Sequence, residues 1–149
     1  MKSKLAIAIT AATLATTLTA CGPGFDAPTR LIQQVTDGVD ATVETGDSLI
    51  YLRNIYVTLN AAGDASLVGT IINQKENKDA LLALAIDRQQ IKIPALPALQ
   101  NQPIIFGGPS ANATADLPAS GLIAGHHTQV SFFFGIGGTV TVDALVVNA

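Results

Sequence analysis

The chain has 149 residues, 48% of them hydrophobic and only 13% charged, with a net charge of −3. That length is one domain's worth. No basic stripe runs through it, which argues against nucleic acid as a partner, and a single cysteine leaves no disulfide within the chain.

The first predicted element is a secretory leader over residues 1–20. Lys2 and Lys4 make a basic head, residues 5–20 are uncharged, and the run closes on Leu18-Thr19-Ala20-Cys21. A membrane-spanning helix needs about 20 predominantly apolar residues, and this run is shorter and rich in threonine. It has the parts of a signal peptide and ends in the lipobox of a bacterial lipoprotein. Cys21 is therefore expected to carry the lipid (a diacylglycerol with palmitate-type chains) and to become the first residue after cleavage. Each buried methylene contributes about 0.8 kcal/mol, so two acyl chains hold where one barely does. The protein is then expected on the extracytoplasmic face of the cell membrane. Loss of Lys2 and Lys4 takes the net charge from −3 to −5, so the lipid must hold it there without electrostatic help.

Residues 21–37 read as a tether. Gly22, Pro23, Gly24 and Pro28 break any regular element, leaving room for one helical turn over 29–35. Residues 38–149 read as a single β domain. Its predicted strands are 39–44, 49–59, 66–72, 81–86, 89–93, 104–106, 128–134 and 139–147. Between them lie turn sequences: Asn60-Ala61-Ala62-Gly63-Asp64, the stretch 73–79, and Gly135-Ile136-Gly137-Gly138.

The last two strands alternate most clearly. Val140, Val142, Ala144 and Val146 share one face, with Thr139, Thr141 and Asp143 on the other; Val130, Phe132 and Phe134 oppose Ser131 and Phe133. Period two marks a half-buried strand, and the Gly-rich loop makes the pair an antiparallel hairpin. Seven or eight such strands predict an all-β, immunoglobulin/cupredoxin-like two-sheet sandwich. The stretch 94–125 holds five of the seven prolines. It reads as a long crossover with one short strand, 104–106, at an edge.

Catalytic patterns are missing. Nucleophilic catalysis needs Ser, Thr or Cys beside a base, and the only histidines are His126 and His127. Neighbours in a strand point to opposite faces, so these two are not expected to serve one site. They read as polar residues where a strand begins, and as weak metal candidates only. Asp37, Asp40, Glu44 and Asp47 cluster near the domain's start, but calcium wants six to eight oxygens from a shaped loop, and the spacing fits no such loop. They read as a solvated acidic loop, and 75–79 reads as a solvated hairpin tip. Cu(I) prefers thioether, thiolate and imidazole. Met1 leaves with the leader and Cys21 is lipidated, so two adjacent histidines remain, a poor set.

Ser66-Leu67-Val68-Gly69-Thr70-Ile71-Ile72-Asn73, then Asp79-Ala80-Leu81-Leu82, resembles the "strand, Asn, loop, Asp-x-Leu-Leu" core of the periplasmic copper-chaperone (PCuAC-like) sandwich family. Leu117, Leu122, Gly125, Val130-Ser131-Phe132 and Gly138 through Val142 continue the likeness. The lipobox, short tether, Pro/Gly-rich middle and terminal hairpin also resemble the LpqE-type lipoproteins of actinobacteria. The copper family binds Cu(I) through Met and His, with a His-x-Met pair ahead of the last strands. Here that stretch is Ala111-Asn112-Ala113-Thr114, so none of its ligands carries over. The LpqE-type likeness implies a peripheral subunit of the respiratory cytochrome bcc–aa3 oxidase supercomplex.

The expected protein is thus a non-catalytic envelope lipoprotein without a cofactor, docked on a membrane complex. Phe133 and the loop 94–108 are the candidate contacts. Two alternatives stand beside it. One is a copper metallochaperone with a non-standard site at His126, His127 and acidic residues. The other is a lipid- or glycan-binding module with a hollow between the sheets.

Overall fold

The computed structural model describes residues 38–149. The leader, Cys21 and the tether of the sequence reading lie outside the described residues. Ten strands follow in order: β1 (Val39–Thr45), β2 (Ser48–Leu59), β3 (Ala65–Asn73), β4 (Asp79–Ile86), β5 (Gln89–Ile91), β6 (Leu96–Ala98), β7 (Ile104–Phe106), β8 (Asp116–Leu117), β9 (His127–Phe134) and β10 (Thr139–Asn148). They make one curled sheet in the order β5-β4-β9-β10-β2-β3-β7, with β1 on β2, β6 on β4 and β8 on β3. The sheet folds over into two layers. The domain is the all-β sandwich that the sequence predicts.

The core lies between the layers, and alternation puts it there. In β3, Ala65, Leu67 and Ile71 point inward while Ser66, Val68 and Thr70 are half-exposed. In β9, Val130 and Phe132 are completely buried, each burial contributing about 1.5–3 kcal/mol. Strand β2 keeps its apolar side inward past residue 53 only because a bulge interrupts its pairing with β3 between Arg53 and Tyr56. Asn54 takes a positive φ of 53° there, and Ile55 and Val57 return to full burial. An extra residue in one strand shifts the facing of everything after it.

Three details depart from the sequence reading. Strands β6 and β8 were not expected, because Pro97 and Pro118 sit within or beside them. Each pairs on one side only, β6 with β4 and β8 with β3, which is where a strand tolerates proline. Second, one pairing is parallel: Val146, Val147 and Asn148 of β10 lie beside Val57, Thr58 and Leu59 of β2. That part of the β2 edge is free because β1 covers only its first half, up to Ile55. Third, the candidate contact loop 94–108 contains β6 and β7, and buries Ala98, Ile104 and Phe106. Those three residues anchor the stretch to the core, while 94–95, 97, 100–103 and 108 stay exposed. Strand β7 does lie at the sheet's edge, as predicted.

Candidate functional site

Two polar regions stand out, one at each end of the sandwich layer made by β4, β9 and β10. The first surrounds Asp79. The sequence reading placed this residue in a solvated tip; it is only 6% exposed. One carboxylate oxygen accepts the backbone N–H groups of Ala80 (2.7 Å) and Ile136 (2.9 Å), the other the N–H of Gly137 (2.8 Å) and the Ser48 hydroxyl (3.1 Å). Burial pushes the Asp79 carboxyl up, but the bonds from Ile136, Gly137, Ala80 and Ser48 outweigh it and hold it below the usual value. Asp79 thereby ties the β9–β10 loop to β2 and β4. A side chain at Gly137 would press on Ser48 Oγ, Asp79 Oδ2 and Ile50 Cδ1.

Asn73, 1% exposed, works beside it. Its amide nitrogen donates to the carbonyls of Asn77 and Ala98, and its amide oxygen accepts the Lys75 N–H. The Asn and Asp of the motif in 66–82 are therefore loop clasps. Their chemistry is used up by the fold.

The second region is a cleft of about 380 Å³ lined by Asp87, Arg88, His126, His127, Thr128 and Asp143 among others. Both histidines are exposed and border this cleft. His126 precedes β9, in a turn where its N–H bonds the Ile123 carbonyl, so strand alternation governs His127 and not His126. Neither hydrogen-bonds a hydroxyl among the described residues. At the cleft wall Thr128 is 5% exposed, and its hydroxyl has no partner among the described residues.

Among the described residues, the acidic group near the start does not gather into a metal-holding site. Asp40 accepts the Asn54 N–H at 2.7 Å and pairs with Arg53 at 3.6 Å. Glu44 and Asp47 are exposed on β1 and its turn, and Asp37 lies outside the described residues. Phe133 is 36% exposed on the outer face of β9, as its alternation predicted.

No family model and no curated protein matches the chain. Solved structures do. The apo PCuAC domain from PmoF1 has a TM-score of 0.58 at 18% identity, covering 73% of this chain and all of that one. The copper-bound PCuAC domain from PmoF2 follows with 0.55 at 16%, covering 73% and 99%, and the apo PmoF2 domain with 0.55 at 15%, covering 72% and 95%. The chain has the PCuAC fold.

The donor set does not follow the fold. Residues 38–149 contain no methionine and no cysteine, the soft donors that Cu(I) selects. No three His, Cys, Asp or Glu side chains gather into a metal-holding group among the described residues. At 111–114, Asn112 closes a loop instead: its amide oxygen accepts the Ile105 N–H and its nitrogen donates to the Pro103 carbonyl. A PCuAC-type copper centre does not fit these residues.

Proposed function

We propose that this protein is a non-catalytic docking module of the cell envelope, held by lipid on Cys21 and bound to a membrane complex. The observation that carries the reading is a PCuAC fold kept intact by Asn73 and Asp79 while the region around 111–114 holds no soft ligand. A fold retained without its metal chemistry leaves its surface as the working part. The partner implied by the LpqE-type likeness is the cytochrome bcc–aa3 supercomplex. Exposed Phe133, Leu82, Ile136 and Ile123 are the large apolar residues available for contact among the described residues.

The test is co-purification. The chain is tagged after Ala149, membranes are solubilised in mild detergent, and what travels with it is identified by mass spectrometry. Haem-bearing oxidase subunits in near-stoichiometric yield are expected. A protein that purifies without them sinks the oxidase assignment.

A second reading rests on the cleft that His126, His127, Asp87 and Asp143 line: imidazole with carboxylate suits Cu(II) better than Cu(I), although these side chains do not gather into a metal-holding group as they stand. A metallochaperone of that kind retains stoichiometric Cu(II) after dialysis and loses it in the double variant His126→Ala, His127→Ala. Metal-free protein after the same dialysis removes this reading.

A further inference from the structure

The outer face of the β4–β9 pair carries a hollow of about 330 Å³ lined by Ala83, Ala85, Arg88, Gln90 and Phe133. Its origin is in the register. Ala83 lies directly across from Phe133, and Ala85 is flanked by Gln90 on one side and Ser131 on the other. Two small residues in a row leave a trough between a large ring and two long polar side chains. A bulge between Leu81 and Ala83 turns Leu82 outward as well, to 51% exposure, so the apolar surface continues along β4. Bulges that re-aim a side chain are built features of a sheet.

Arg88 gives the hollow a charge. Its turn residues both have positive φ, 47° at Asp87 and 63° at Arg88, and the side chain lines this hollow and the histidine cleft. It forms no ion pair or hydrogen bond among the described residues. Asp87 and Asp143 line the cleft with it, and neither forms a salt bridge with it. A guanidinium without a partner over an apolar floor matches a carboxylate attached to something apolar.

We propose that this hollow takes an apolar side chain adjoining a carboxylate on a protein partner. This deepens the docking reading and rests on it. The size suits one or two residues, at the small end for a ligand pocket. A membrane is the poorer occupant, because an acidic protein is repelled by anionic headgroups and one arginine does not reverse that. The complementarity is local: one cation set in an acidic surface selects one anion.

The test uses the isotope-labelled full chain and two probes, N-acetyl-leucine with its free carboxylate and N-acetyl-leucinamide without it. NMR shift changes confined to Ala83, Ala85, Arg88 and Phe133 are expected with the acid and not with the amide. Arg88→Gln should weaken the acid about tenfold, the worth of one charge-assisted contact. Ala83→Leu should fill the hollow and abolish the shifts while the remaining spectrum is unchanged. Equal response to both probes, no response, or Arg88-dependent flotation with phosphatidylglycerol vesicles that N-acetyl-leucine does not reverse would each overturn the proposal. Co-purification with the Ala83→Leu protein separates the two levels. A partner retained by wild type and by this variant alike overturns the hollow and leaves docking standing. A wild type without a partner overturns docking itself.

Discussion

The Asp79 end and the His126 end of the same layer use polar residues in opposite ways. At Asp79 every acceptor is engaged: two oxygens, four donors, and a glycine loop clasped between strands. At the other end two histidines, two aspartates and an arginine line a cleft, and the arginine has no partner among the described residues. Buried polar groups must be satisfied to be tolerated, and once satisfied they have nothing left to offer a ligand. Exposed and unpaired groups contribute little to stability and remain available. Mutations at the two ends should therefore fall in different classes.

The largest effect is expected at Asp79. Asp79→Ala strands two loop N–H groups and the Ser48 hydroxyl, and should cost about 3 kcal/mol in chemical denaturation. A loss below about 1 kcal/mol would mean that water replaces the carboxylate and that the end is not clasped. The same group makes stability depend on pH. Its carboxyl is held low in the folded protein, so its contribution is complete above the unfolded aspartate value and is lost as pH falls through the folded one. The gap between wild type and Asp79→Asn should close as pH falls from above the unfolded aspartate value through the lower folded one. A gap that stays constant over that range would assign it to shape and not charge.

Gly137→Ala comes next, at about 1 kcal/mol. The new methyl group must push on Ser48, Asp79 and Ile50, none further than 3.3 Å. Thermal melts of this variant with and without Asp79→Ala should be non-additive, since both act on one loop. The smallest effect belongs to the cleft. His126→Ala with His127→Ala should change stability by less than about 0.5 kcal/mol, as exposed unpaired residues do. A larger loss would place the histidines in the same structural class as Asp79 and end the comparison.

The sequence made most of the sandwich readable because its two clearest signals are period-two strands. Alternation in 128–134 and 139–147 sorted buried from exposed residues correctly, down to Phe133. Strands β6 and β8 escaped because two or three residues around a proline carry no period. Asp79 escaped for a different reason: a carboxylate in a Lys-Glu-Asn-Lys-Asp run looks solvated, and its four donors come from residues 48, 80, 136 and 137. Three of those four are backbone groups, which no side-chain pattern announces. Alternation does not govern His126, one residue before the strand begins, so the cleft that both histidines border was not legible. That 111–114 holds neither Met nor His was plain in the sequence. That Asn112 there clasps a loop was not.

The parallel contact of β10 with β2 bears on how this protein folds. On the sheet path β10 joins the two halves, antiparallel to β9 on one side and parallel to β2 on the other. Val146 must find Val57 across most of the domain. Non-local pairings of this kind slow folding. Until this one forms, the part of the β2 edge beyond Ile55 has no strand on that side, and an unpaired edge is a template for association with other chains.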